Sequence, residues 1–232
     1  QGGSGTWLPV DVRLDLHDAA GAADSYAPVI VATPTAITVA WHDRSAGLAD
    51  VLVNVADPIG QSVLDEPIRV SSAAPGAYES LFPVLALLGD GALGLAWIDE
   101  EAGARDVAFS RSEDDGLTWS EPAILDNRGG GTHSGTPVIA VSEAHVAVAW
   151  TDLRDSSPDE PREDIYVSTS TDNGHTFTDE WRVDDDPEGN ARSAEPSLLI
   201  DPDLDLLDVV WEEWRHGTAD VFRRPQPFGG PQ

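Results

Sequence analysis

Two neighbouring stretches decide the fold: Val146-Ala147-Val148-Ala149-Trp150-Thr151-Asp152 and, beyond an acidic loop, Asp164-Ile165-Tyr166-Val167-Ser168-Thr169-Ser170-Thr171-Asp172-Asn173-Gly174-His175-Thr176-Phe177. In the first, small residues alternate with larger apolar ones and the run ends in Trp, the period of an extended strand. The second opens as a strand and closes in a polar, Gly-centred turn before an aromatic ring. No part of the chain keeps a 3.6-residue apolar period over a helical length. Even Leu81–Leu95 is broken by Pro83, Gly89 and Gly91 and reads as two strands and a turn.

The same unit recurs four times. Ser lies three residues before Pro at Ser25/Pro28, Ser80/Pro83, Ser134/Pro137 and Ser193/Pro196, with Pro-to-Pro steps of 55, 54 and 59. Each Pro opens an apolar run, a short turn follows, and a second run ends at Trp41, Trp97, Trp150 or Trp211. A third run starts at Asp50, Asp106, Asp164 or Asp220, and Pro67–Val70, Pro122–Leu125 and Trp181–Val183 supply a fourth strand in three of the units. Four strands in some 55 residues, repeated at near-constant spacing, describe a β-propeller blade, a sheet that buries both faces only when stacked on its neighbours. The last unit has three strands, and an orphan run, Thr6–Leu14, precedes the first. The expectation is therefore one all-β domain over residues 1–232. It is a four-bladed propeller with blades at about 27–72, 82–127, 136–186 and 195–225 plus 6–16, its ring closed by the N-terminal strand pairing with the C-terminal blade.

Composition narrows the chemistry. The chain has 42 acidic residues against 13 basic ones, all arginine, for a formal charge of −29, and it has no cysteine. That excludes disulfides, thiolate metal sites and a cysteine nucleophile. Phosphate-bearing partners would be repelled, so neither nucleic acid nor insertion into a membrane is expected. There is no His-Glu-x-x-His helix, no Gly-x-Ser-x-Gly elbow and no phosphate loop. Gln1 reads as an end exposed by processing. A removed export signal would place the protein outside the cytoplasm, secreted or periplasmic.

Ser112-Glu113-Asp114-Asp115-Gly116-Leu117-Thr118-Trp119 and Ser170-Thr171-Asp172-Asn173-Gly174-His175-Thr176-Phe177 both fit S-x-D-x-G-x-T-[WF]. This pattern resembles the Asp-box of sialidase-like (BNR) repeat proteins, a resemblance that covers nearly the whole chain. It implies that Ser112, Asp114, Gly116, Thr118, Trp119, Ser170, Asp172, Gly174, Thr176 and Phe177 are structural turn residues. The first unit keeps turn chemistry at Asp57–Leu64 without the box.

The inter-blade loops and the loops between second and third strands gather Arg, His, Tyr and carboxylates on one face. Candidate ligand-binding residues there are Arg44, Arg154, Arg215, His133, Arg192, Tyr26, Tyr78, Glu79, Asp43 and Asp152. The resemblance would give Arg44, Arg154 and Arg215 to a substrate carboxylate, Tyr26 or Tyr78 with Glu79 to a nucleophile pair, and Asp43 or Asp24 to an acid. Each arginine also sits beside carboxylates of its own loop, and structural ion pairing between neighbouring blades is the plainer reading of the three. Against catalysis stand a count of four blades where the family's enzymes have six, and no Arg-Ile-Pro element. The leading expectation is a non-catalytic extracytoplasmic module that binds a glycan or a protein partner, alone or as a subunit of a larger assembly, with no catalytic residues. The alternatives are a sialidase-like glycoside hydrolase using an arginine cluster and a purely structural propeller. No cofactor is expected. Calcium is the one ion the acidic loops at 152–164, 184–190 and 201–205 would suit, and no metal ligand is assigned.

Overall fold

The computed structural model describes residues 11–59, 62–100, 103, 105–126, 133–157 and 159–230. Among them every regular element is a strand. The first sheet holds β1 (Ser25–Ala32), β2 (Ile37–Asp43), β3 (Asp50–Ala56) and β4 (Ile68–Arg69). The second holds β5 (Ser80–Leu87), β6 (Leu93–Asp99), β7 (Asp106–Ser112) and β8 (Ala123–Ile124). The third holds β9 (Val138–Ser142), β10 (His145–Asp152), β11 (Asp164–Ser170) and β12 (Trp181–Arg182). The fourth holds β13 (Ser193–Asp201), β14 (Leu206–Glu213) and β15 (Asp220–Pro227). Strand order in each sheet is the chain order, and all pairs are antiparallel.

Alternation along the second strand of each unit decides what packs where. Leu95 and Trp97 on β6 meet Ala40, Val51 and Val53 of the first sheet, whereas Ala96 and Ile98 face Val146, Val148 and Trp150 of the third. Ala147 and Ala149 on β10 meet Trp211 and Val209 of the fourth. The second, third and fourth Trp thus each pack back onto the preceding sheet. Small residues on that sheet make room for the indole, so alternation of small and large along one strand becomes interdigitation between two.

The recurrent polar residues close each unit at one edge. Trp41, Trp97 and Trp150 donate Nε1–H to Asp43, Asp99 and Asp152 at 3.3, 3.0 and 3.3 Å, and Trp211 donates to Glu213 at 2.8 Å. Ser25 Oγ donates to Asp43 and Ser134 Oγ to Asp152, at 2.8 and 3.2 Å. The Ser three residues before Pro and the carboxylate two residues after Trp are therefore one buried staple.

At the other edge the two Ser-x-Asp-x-Gly-x-Thr segments form hydrogen-bonded turns. Thr118 and Thr176 each donate backbone N–H and Oγ1–H to the two oxygens of Asp114 and Asp172, at 2.6–2.9 Å. Ser112 and Ser170 accept from Gly116 N–H and Gly174 N–H at 2.8 and 2.9 Å. In the boxless first unit Asp57 accepts from Ile59 and Ser62 instead.

Of the expected closing strand, Thr6–Val10 lie outside the described residues, and Asp11–Leu14 form no strand. The fourth sheet is three-stranded among the described residues. Leu14 and Asp15 nonetheless bond to the first sheet. Asn54 donates to Leu14 O at 2.8 Å. Ser25 donates to Asp15 at 3.1 Å, as Ser134 does to Asp126 and Ser193 to Asp184.

Candidate functional site

Three of the four innermost strands begin with the same distortion. Register shifts interrupt β1, β5 and β13 at Tyr26/Val29, Leu81/Val84 and Ala194/Ser197. The residue before Pro in each, Ala27, Phe82 and Glu195, has φ of +51°, +52° and +53°. A bulge with left-handed backbone at a non-glycine residue is strained and re-aims a side chain at the mouth of the fold. Only in the fourth sheet is that side chain ionisable.

Glu195 lines a cleft of about 120 Å³ with Glu163, Arg192, Thr136 and Thr151, between the third and fourth sheets at the Trp-staple edge. Arg192 Nε donates to Glu163 at 2.9 Å, and its guanidinium lies 4.8 Å from the Trp214 ring centre. Backbone bonds from Ser193 N–H to Glu163 O (2.7 Å) and from Trp214 N–H to Arg192 O (3.0 Å) tie the three loops together. The cleft thus presents one carboxylate oriented by a cation and a second, Glu195, that meets no hydrogen-bond donor or cation among the described residues. Two carboxylates beside one cleft can divide acid and base roles.

The three arginines that the resemblance would give to a substrate carboxylate are each held by carboxylates of the protein. Arg44 donates to Glu79 at 2.8 Å, and Glu79 also accepts from Ala49 N–H. Arg154, only 9% exposed, binds Asp126 (2.5 Å), Asp152 (2.7 Å) and Glu180 (2.9 Å), and lies 4.0 Å over the Tyr166 ring. Arg215 holds Glu213 and Asp185 and lies over Phe222. These guanidiniums join strand ends within and between sheets, and their fork is spent before any substrate arrives.

Asp43 and Asp152 are buried staple residues. Burial raises the Asp43 carboxyl, but donors from Ser45, Ser25 and Trp41 more than offset it and hold it down to about 2. Tyr26 and Tyr78 are exposed, Tyr26 with its ring 5.6 Å from His42, and no tyrosine–Glu79 pair forms because Glu79 belongs to Arg44. His133 is exposed and joined to Arg105 by a parallel bridge. Of the ten candidates only Arg192 lies in the cleft.

The acidic loops converge on one group, Asp164, Asp184 and Asp186, with carboxylate oxygens within 4.8 Å of one another. Its cation is Arg182, whose Nη2 lies 3.0, 3.0 and 2.9 Å from the three side chains. A guanidinium stands where calcium would. Burial first, then the Asp184 charge, pushes the Asp164 carboxyl up to about 8, and burial with Asp184 raises Asp186 to about 6. Burial likewise lifts Asp126 to about 6, against the pull of Arg154.

Sequence reasoning did not single out Glu163, which sits unremarked in an acidic run next to the strand-opening Asp164. Glu195 falls in the same inter-blade loop as Arg192, immediately before the repeating Pro, but was not among the ten candidates.

No family model matches the sequence, and no curated protein does. Solved structures do. The α-L-arabinanase of Penicillium chrysogenum complexed with arabinobiose superposes with a TM-score of 0.61 at 17% identity, covering 87% of this chain and 62% of that one. The GH93 α-L-arabinofuranosidase of Fusarium graminearum with arabinobiose gives 0.59 at 15%, with the same coverages. A thermostable family-43 glycoside hydrolase gives 0.51 at 13%, covering 90% and 77%. The chain spans less than two thirds of the length of the first two. At these identities the likeness establishes the fold, a β-propeller of the kind found in glycan-active enzymes, and the resemblance narrows to that level: these neighbours are not sialidases. They also correct the expectation of a non-catalytic binding module and the lean against an enzyme, since the architecture is the one that glycoside hydrolases use.

Proposed function

We propose that the protein hydrolyses glycosidic bonds, with Glu163 and Glu195 as the working carboxylate pair and Arg192 as the residue that orients Glu163. The observation that carries this reading is the meeting of the two glutamates beside one cleft, one of them on a strained bulge, at the mouth of the fold. The substrate class is a neutral polysaccharide of the arabinan kind. A surface with formal charge −29 disfavours polyanionic glycans, and among the described residues no three-arginine carboxylate clamp assembles. Such polymers lie outside cells, which agrees with an extracytoplasmic protein. Among the described residues no helix is long and apolar enough to cross a membrane.

The test is release of reducing ends from linear arabinan and from arabinoxylan. Glu163→Gln and Glu195→Gln are each expected to lower kcat by about 10²–10⁴ with unchanged folding. No release from either polymer, or full activity in both variants, overturns the assignment.

The same reading takes the ring as closed by the N-terminal segment. In the first, second and third sheets the residue opposite Trp in the third strand is paired in turn by Arg69, Ile124 or Arg182 of the fourth. Arg13 is the matching residue before Leu14-Asp15, and Phe222 is the residue opposite Trp211. Closure would set Arg13 opposite Phe222, a pair beyond the three described strands of the fourth sheet.

A further inference from the structure

A cavity of about 480 Å³ lies between the second and third sheets at the edge of the Ser-x-Asp-x-Gly-x-Thr turns, the far end of the strands from Glu163 and Glu195. Its walls include Trp119, Phe109, Arg111, Glu113, Glu121 and His175. Three features of these walls are unusual together. Trp119 Nε1–H is already spent on Gly116 O at 2.9 Å, so the indole offers only its apolar ring. Arg111 is 9% exposed and anchored through Nη1 to Asn173 O at 2.7 Å and through Nη2 to Asp90 at 2.5 Å, yet its buried Nε has no hydrogen-bond partner. Glu113 Oε1 lies 3.7 Å from that Nε, beyond hydrogen-bonding distance. Glu113 and Glu121 are exposed, so their carboxylates stand open to donors from solvent or ligand.

A buried N–H without a partner costs free energy that a ligand acceptor would restore. An aromatic face calls for an apolar surface, and two carboxylates call for donors while repelling anions. Neutral sugars carry all three complements: a C–H face, hydroxyl and ring oxygens that accept, and hydroxyl hydrogens that donate. We propose that this cavity is a second, non-catalytic site for a neutral saccharide, in which Arg111 Nε–H donates to a sugar oxygen, Glu121 accepts a hydroxyl and the ring of Trp119 packs on the sugar. The volume falls within the range of small-ligand sites. The inference deepens the glycan reading but uses none of the cleft residues.

Calorimetric titration separates the two. With Glu163→Gln/Glu195→Gln as the background, arabinobiose and cellotriose serve as furanose and pyranose probes. Saturable binding of at least one sugar is expected, weakened roughly tenfold by Glu121→Ala and by Trp119→Ala. Because Trp119 also packs on the core, its circular dichroism is recorded, and the exposed Glu121 carries the decision if that variant unfolds. Binding of neither sugar, equal affinity in Glu121→Ala, or displacement by inorganic phosphate overturns the proposal. Polymer hydrolysis that persists while binding is absent sinks this site alone, and binding that persists without hydrolysis sinks only the assignment of the cleft.

Discussion

Gly116 and Gly91 have nearly the same backbone, φ +95° and +90°, in very different surroundings. A Cβ at Gly91 meets open space. One at Gly116 comes within 2.9 Å of Thr38 Cγ2 and 3.5 Å of Val53 and Val55 on the first sheet. Thr38 cannot yield, because its hydroxyl donates to Asp115 O at 2.7 Å. Gly91→Ala therefore measures left-handed strain alone, about 1–2 kcal/mol. Gly116→Ala adds a clash across the sheet interface and is expected to cost about 3 kcal/mol or more, read by denaturant unfolding. Equal losses in the two variants would show that the box glycine serves only its own turn. The required glycine of the box is thus a contact residue between blades.

At the scale of the element, the strand ends carry the unusual protonation chemistry. Asp164 opens β11, Arg182 ends β12, and Asp184 and Asp186 follow, so four side chains of alternating demand share one buried corner. With its folded pKa raised to about 8, Asp164 holds a proton in the fold that the unfolded chain releases near its ordinary 3.8. Its contribution to stability is complete below about pH 4 and is lost as pH rises through 8. Asp126 and Asp186, raised to about 6, act in the same direction over a narrower window. Asp172 works oppositely. Burial raises it, but Thr176 and Ser170 more than offset this and hold it at about 2, so its contribution fades only below pH 4. The thermal midpoint is expected to be higher at pH 5 than at pH 8. Asp164→Asn should narrow that gap by at least about 2–4 °C, the shift produced by 1 kcal/mol in a chain of this size. A midpoint that rises from pH 5 to pH 8 would contradict the assigned protonation.

For the whole molecule, the seam is the decisive feature. Neighbouring sheets bury apolar clusters between the first and second, second and third, and third and fourth. The fourth sheet's β15 is largely exposed, with Val221 at 80%. Trp41, whose counterparts pack onto a preceding sheet, shares a cavity wall with Arg13, Leu14 and Asp15 instead. A chain free of cysteine allows a clean test of closure. Arg13→Cys/Phe222→Cys is expected to oxidise to an intramolecular disulfide, since directly opposed residues in an antiparallel pair lie within bridging distance. Free thiols, or bridges formed only between two molecules, would place the N-terminal strand elsewhere.

The repeat of Ser, Pro, Trp and Asp was legible from residue order alone because each member answers a local demand. Alternation sets the face, Pro follows the bulge, and the box closes its own hairpin with bonds no more than four residues apart. The four antiparallel sheets among the described residues, and the order of strands within them, followed from that. That the arginines pair with carboxylates was legible in the acidic residues beside them, but the particular partners were not. Arg154 meets Asp126 and Glu180 across 28 and 26 residues, partners that no local pattern names. The pairing of Glu163 with Arg192 beside Glu195 was equally invisible, because it arises where two sheets stack. Short-range hydrogen bonding and periodicity are written in the order of residues. Which charges face each other is decided only when the sheets are laid side by side.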